Sequence, residues 1–308
     1  MRNAFADELT RLAGTDPRLV LLSGDIGNKL FDKFKAADES RFYNCGVAEA
    51  NMMGVAAGMA LSGLRPFVYT IAPFTTTRCF EQIRVDAAYH HLPIVIVGTG
   101  SGLSYAELGP THHSLEDIAI LRTLPGMRVL APCDATELRL AMSAAIADGG
   151  PTYIRIGKKG EAAIHVEPPP FRIGKSIVVR PGTDVALLCA GNMMAEVLKA
   201  ADHLAESGIS AEVASFHTVK PLDSSYLEEA SRRFRVIATV EEHSRIGGFG
   251  GAVAEWRSAG DFKFRHLSFG TDDEFMHEVG SQSYARRKYG LAADAIADKV
   301  RAAIGASR

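Results

Sequence analysis

The sequence predicts an α/β fold with a mainly parallel sheet, followed by a second, smaller α/β unit. Three observations carry this reading. Strand-length apolar runs are continuous rather than alternating, as in sheets covered on both faces. Helix-length segments separate those runs along the whole chain. The composition breaks at Pro168-Pro169-Pro170, and a second β-α-β series follows. The expected domains are residues 1–167 and 171–308.

Taken in order, the first strand is Leu19-Val20-Leu21-Leu22, and the next is Phe67-Val68-Tyr69. Between them lies Gly46-Val47-Ala48-Glu49-Ala50-Asn51-Met52-Met53-Gly54, which runs into a charge-free helical segment ending at Leu64. Glu49 therefore stands at the mouth of an apolar helix. A helix is expected over Arg78 to His91, then a strand at Ile94–Val97. Asp134 and Glu137 have capping-box spacing, and Gly149 closes the helix they start. Thr152–Ile156 completes the first strand set. In the second unit the expected elements are a strand at 185–188, a helix at 193–207, and strands at 211–216 and 235–240. A glycine-rich turn then opens a helix at 247–256.

Composition narrows the function classes. The 308 residues are 47% hydrophobic and 23% charged, enough apolar material for two packed cores. The net charge of −2, without basic or acidic blocks, argues against nucleic acid or an anionic membrane as a main partner. No apolar run reaches membrane-spanning length, and the first residues lack a signal-peptide pattern. Cys45, Cys79, Cys133 and Cys189 are widely spaced and show no zinc-site spacing, so no metal ligands are assigned. They read as reduced thiols, and the expected location is the cytoplasm.

Two segments stand out as sites. One is Glu49, either a carboxylate complementing the helix dipole or a group doing proton chemistry. Burial disfavours its charged form while a helix N-terminus favours it, a balance suited to proton exchange. The other is the glycine-rich loop Gly98 to Ser114, which follows a strand and ends in Gly109-Pro110-Thr111-His112-His113-Ser114. Ligands sit beyond the carboxyl ends of strands in open α/β sheets. The plainer reading of these histidines is helix capping. Gly247-Gly248-Phe249-Gly250-Gly251 fails the dinucleotide pattern at Val253, so close helix–sheet packing is the better account.

Gly46-Val47-Ala48-Glu49-Ala50-Asn51, Leu64-Arg65-Pro66-Phe67 and Gly109 through Asp117 together resemble the transketolase family. So do Leu121-Arg122-Thr123-Leu124-Pro125-Gly126-Met127, Lys220-Pro221-Leu222-Asp223 and Val240-Glu241-Glu242-His243. The likeness spans nearly the whole chain, but matches only the latter part of a full-length transketolase or deoxyxylulose-phosphate synthase. It implies a pyrimidine-binding domain of thiamine diphosphate enzymes followed by a transketolase C-terminal domain. The Gly-Asp-Gly element that such enzymes use for magnesium and diphosphate is absent, the nearest string being Gly24-Asp25-Ile26. The resemblance therefore implies a C-terminal subunit of a split transketolase. The cofactor it implies is thiamine diphosphate, with Mg²⁺ expected on an N-terminal partner subunit in an α2β2 heterotetramer.

The resemblance also assigns roles. Glu49 would hydrogen-bond the pyrimidine N1′ and promote the tautomer that takes a proton from the thiazolium carbon. Phe74, or Phe80 under a shifted alignment, would lie against the pyrimidine, and Asp25 near the thiazolium. His112 would meet the reactive end of the cofactor and the substrate carbonyl. Asn28 would line the substrate entrance, His113 and Glu107 are further substrate-binding candidates, and Arg2 and Arg155 would grip a sugar phosphate by bidentate hydrogen bonds. Leu108 stands where relatives commonly carry an acidic residue that contacts substrate hydroxyls. Either the acceptor is a modified or deoxy sugar, or Glu107 substitutes.

The expected reaction is transfer of a two-carbon ketol unit from a ketose to an aldehyde. The alternatives are a pyruvate-using synthase of the deoxyxylulose-phosphate type, the beta chain of a 2-oxo acid dehydrogenase, and a non-catalytic scaffold. Gly-Pro-Thr-His-His speaks against the dehydrogenase reading. Glu49 and His112 together speak against the scaffold.

Overall fold

A computed structural model of the chain describes residues 1–27 and 29–305. Among the described residues, twelve strands form two sheets. In chain order they are β1 (Leu19–Ser23), β2 (Phe42–Asn44), β3 (Arg65–Ile71), β4 (Val95–Thr99), β5 (Arg128–Leu130) and β6 (Thr152–Ile156), then β7 (Ile177–Arg180), β8 (Val185–Ala190), β9 (Ala211–Ser215), β10 (Thr218–Lys220), β11 (Val236–Ser244) and β12 (Arg265–Thr271). The first sheet has the order β10-β5-β6-β4-β3-β1-β2, parallel except for β10. The second has the order β12-β11-β8-β9-β7, parallel except for β7. β10 follows the second sheet's β9 in sequence yet pairs with β5, so the two sheets are stitched together.

The continuous apolar strands have the cause inferred from their pattern. Val20 and Leu22 of β1 face one core with Met52, Met53 and Ala56 of the Glu49–Leu61 helix. Leu19 and Leu21 face another with Phe5, Leu9 and Met142. Each buried Met or Leu contributes roughly 1.5–3 kcal/mol by leaving water. The first of these cores continues into the second unit through Ala186, Leu188, Phe216 and Phe249. The outer core of that unit packs Val185 and Leu187 against Val197, Ile296 and Val300.

Two local expectations change. The segment expected as one helix over 78–91 is a 3₁₀ turn at Thr77–Cys79, a short helix at Phe80–Gln82 and a π-helical stretch at Ile83–Tyr89. Asp134 does cap the Ala135–Asp148 helix, accepting from Glu137 N at 2.8 Å. The return arm of the capping box is displaced, because Glu137 Oε2 accepts from Cys133 N instead. Glu137 Oε1 meets His165 Nε2 at 2.9 Å, and Asp134 Oδ2 accepts from Ile164 N and His165 N. The segment leaving β6 is thereby pinned to the first unit.

Candidate active site

The candidate site lies beyond the carboxyl ends of the parallel strands of the first sheet. β1 leads to Asp25, β2 to Glu49, β3 to Phe74, β4 to the loop carrying Tyr105 and His112, and β6 to Lys158. This is where open α/β sheets place ligands.

Glu49 is 3% exposed and begins its helix. Its Oε2 accepts from Arg78 Nη1 at 2.9 Å. The Arg78 guanidinium also lies over Phe74, 4.1 Å from the ring centroid. Phe74 in turn meets the His112 ring edge-on at 5.3 Å. Tyr105 lies on another side of His112 at 6.1 Å. Lys158 Nζ stands 4.5 Å from the Tyr105 centroid and is ion-paired with Glu107. That pairing draws the Glu107 carboxyl below its usual range, the hydrogen bond from Lys158 being the main cause. An unbroken chain of contacts thus links Glu49 to Glu107. Gly100 makes room for it: its φ is +80°, and a Cβ there would lie 2.0 Å from the Tyr105 ring.

Asp25 is exposed and joins this site through backbone and side chain. Asn44 Nδ2 donates to Asp25 Oδ1 at 3.1 Å, and Asn44 Oδ1 accepts from Gly46 N at 2.9 Å. The turn that delivers Glu49 is therefore tied to Asp25.

Residues 1–160 match the family described as transketolase, pyrimidine binding domain, and residues 174–296 match transketolase, C-terminal domain. The chain is 38% identical over 298 residues to the 6-deoxy-6-sulfo-D-fructose transketolase subunit SqwH of Clostridium sp. (strain MSTE9), covering 96% of this chain and 92% of that protein. The chain belongs to the transketolase family. An apulose-4-phosphate transketolase subunit of Phocaeicola vulgatus is 35% identical over 292 residues, covering 94% and 93% of the two chains. A solved split gene transketolase, described as an inactive beta4 tetramer, superposes with a TM-score of 0.90 at 35% identity, covering 100% and 98%. The 1-deoxy-D-xylulose-5-phosphate synthase of Chlorobium phaeovibrioides is 35% identical over 305 residues, but only 47% of its length is covered. Domain content and relatives make this a transketolase-type enzyme subunit of the split kind, in a thiamine diphosphate-dependent family.

In this transketolase subunit the structure brings Glu49, Phe74, His112 and Glu107 together, with Asp25 at the edge. Asn28 lies outside the described residues. Phe80 packs on the core beneath the Glu49 helix instead. Arg2 is half-buried, with Nε lacking a hydrogen-bond partner, and lies near enough to Tyr69 to oppose the upward push that burial gives that phenol. His113 is buried and lines a cavity of about 410 Å³ with Leu115, Ile246 and Met276. The cavity walls include none of Glu49, Phe74 or His112.

Arg155 requires a correction. It is 2% exposed, donates from Nε to Asp117 Oδ2 at 2.7 Å, and donates from Nη2 to the carbonyls of Ser114 and Glu242. Burial pushes the Asp117 carboxyl up, but Arg155 and His243, with hydrogen bonds from Arg155 and Tyr153, bring it below its usual value. The guanidinium is committed to this network and presents no fork to a phosphate.

Sequence reasoning missed two cations at the site. Lys158 lies two residues past the end of β6, a strand-end position that the topology marks as ligand-facing. Arg78 lies in the 3₁₀ turn Thr77–Cys79 just after the short Ala72–Thr75 helix, and its guanidinium folds back over the Phe74 ring. Among the described residues, the three-donor group that stands close enough for a metal is Cys133, Glu137 and His165. Its sulfur and nitrogen atoms do not suit magnesium, which takes oxygen ligands. The glycine-rich turn packs closely on the sheet, a Cβ at Gly250 falling 2.4 Å from Ser268 Oγ and 2.9 Å from Thr239 Oγ1, and Glu241 fills the helix N-terminus by accepting from Phe249 N and Gly250 N at 2.7 Å each. No helix of the described residues is long and apolar enough to cross a membrane.

Proposed function

We propose that this subunit completes a two-chain transketolase that moves a two-carbon ketol unit from a ketose with an anionic tail to an aldehyde. The observation that carries the proposal is a buried Glu49 whose other oxygen is unengaged. Arg78 holds Oε2, and Oε1 has no hydrogen-bond partner among the described residues. The residues fit a thiamine pyrimidine: a carboxylate oxygen at a helix N-terminus, with an aromatic face, Phe74, close by. When bound, that cofactor supplies a nucleophilic carbon. Glu49 holds a proton at the pyrimidine N1′, Phe74 supports the ring and excludes water, and Arg78 keeps the carboxylate oriented. His112 donates a hydrogen bond to the substrate carbonyl oxygen.

Lys158 and Arg2 are the cations available for the substrate's anionic end. The relatives named for a sulfo sugar and a sugar phosphate support that class. The magnesium and diphosphate ligands belong to the partner subunit. It would cover the helix face where Gly54 and Gly58 have open space and Leu61 is 68% exposed, together with Val47 just before the helix, 77% exposed. We assign an α2β2 heterotetramer in the cytoplasm.

The test is reconstitution with the partner subunit and assay of a ketose phosphate or sulfonate against pyruvate. Ketol transfer from the ketose is expected. Glu49→Gln should lower kcat by about 10²–10⁴-fold, the range of general acid–base contributions, with assembly intact. Product from pyruvate alone would identify a synthase instead.

A further inference from the structure

The second domain contributes no residue to the contact chain from Glu49 to Glu107, yet it clamps the neck of the loop that carries Tyr105, Glu107 and His112. The clamp is Glu242 in β11, fully buried. Its Oε1 accepts from Leu103 N at 2.7 Å and from Gln282 Nε2 at 2.8 Å. Its Oε2 accepts from Arg286 Nε at 2.5 Å. Its backbone carbonyl accepts from Arg155 Nη2 at 2.8 Å, and the same nitrogen donates to the Ser114 carbonyl at 2.7 Å.

The two ends of the loop meet at this point. Gly102 and Ser114 form an isolated antiparallel bridge, with Ser114 N donating to Gly102 O at 2.9 Å. Gly102 has φ +60°, and a Cβ there would lie 2.4 Å from Glu242 O and 2.7 Å from Glu242 Cγ. The neck is therefore pressed directly on Glu242. Residue 103 at one end and residue 114 at the other are fixed through Glu242 and the Arg155 nitrogen bonded to it. Gln282 also reaches Ser104 Oγ at 3.3 Å.

A carboxylate taken out of water is retained only where donors replace its hydration. Here one of those donors is the backbone of the substrate loop, and the rest are side chains of the Gln282–Lys288 helix. We infer that Glu242 is a positioning residue. It transmits the rigidity of the second domain to the loop and so fixes His112 and Tyr105 against Phe74. The structural clamp stands on its own; its effect on turnover rests on the transketolase reading above.

The test compares Glu242→Ala and Gly102→Ala with a matched control, Glu241→Gln. Glu241 is the neighbouring buried carboxylate, which holds the N-terminus of the Phe249–Ser258 helix and makes no hydrogen bond to the loop among the described residues. Two readouts are taken on the chain with its partner subunit: amide exchange of residues 102–114, and KM and kcat for the aldehyde acceptor. Both loop-neck variants should speed exchange in 102–114 at least tenfold. They should lower kcat/KM by about 100-fold, the scale of an ångström misplacement, mostly through KM. Glu241→Gln should leave both readouts at wild-type values. Wild-type exchange and KM in the loop-neck variants would overturn the inference, and so would an equal change in Glu241→Gln. If Glu242→Ala fails to fold, Gln282→Ala carries the comparison: it removes one donor to Glu242 Oε1 and the contact with Ser104 Oγ while the bonds from Leu103 N and Arg286 stay in place. Absence of ketol transfer by the wild type would sink the transketolase reading and leave the exchange result to decide the clamp.

Discussion

Replacing Arg155 with methionine separates a structural arginine from a phosphate ligand. The side chain is fully buried, and its partner Asp117 is 1% exposed. Methionine restores most of the stem volume but leaves Asp117 with Tyr153 as its remaining short hydrogen-bond donor, at 2.7 Å. It also strips the Ser114 and Glu242 carbonyls of the Nη2 donor they share. Breaking a buried ion pair on one side costs about 3–5 kcal/mol, because the surviving charge stays desolvated. At roughly 2–4 °C per kcal/mol for a domain of ordinary size, unfolding should start about 6–20 °C lower. The assay is thermal unfolding by circular dichroism, together with KM for the phosphorylated or sulfonated ketose at a temperature where the variant is folded. The reasoning is refuted by an unchanged melting temperature with a raised KM, since a ligand-gripping arginine costs affinity and not stability.

Two further perturbations test other parts of the account. His165→Ala should destabilise the protein in a pH-dependent way. Its hydrogen bond to Glu137 raises the His165 value, so its contribution is complete below the unfolded value near 6.5 and fades as pH rises through the raised folded value. For Glu137, burial pushes upward, but His165 and its other partners hold it below its ordinary value, so that contribution fades as pH falls through the depressed value. Urea unfolding should therefore show a larger deficit for His165→Ala at about pH 6 than at about pH 9; a constant deficit would mean that no charge is involved. Leu108→Asp restores an acceptor at a site that is 49% exposed beside Glu107. It should shift preference toward hydroxylated over deoxy aldehydes by about 10–100-fold, the worth of a hydrogen bond to a charged group. Competition between two such acceptors measures this, and an unchanged ratio would remove Leu108 from the substrate contact surface.

Sequence carried the parts of this structure whose signal is local. β6 was readable to its end residues because Thr152–Ile156 is rich in β-branched and aromatic residues and lies between a proline and a glycine. The short strands β2, β5 and β10 were not, since three residues give no period to read. The pairing of β10 with β5 is a contact between distant segments that no local pattern encodes. The helix expected over 78–91 has helical periodicity, but nothing in its residues announces the π-helical stretch at Ile83–Tyr89.

The same distinction explains the site. Glu49, Phe74 and His112, which the structure links through Arg78 and ring contacts, were legible as candidates because each sits in a segment with its own recognisable pattern. Arg155 was misassigned because β6 is covered on both faces: with no polar face to set the phase, alternation cannot say which side chains turn inward. What fixes Arg155 is Asp117, 38 residues earlier, together with Glu242, 87 residues later. Lys158, just past the strand, is the cation left facing the loop, paired with Glu107 and lying over Tyr105. An arginine inside a doubly covered strand is therefore better read as a search for a buried carboxylate, and the ligand-facing cation sought beyond the strand's carboxyl end. Applied to this chain, that rule points past Arg155 to Lys158 as the cation proposed for anion recognition. It leaves Arg155 to couple the loop at Ser114 to the second domain at Glu242.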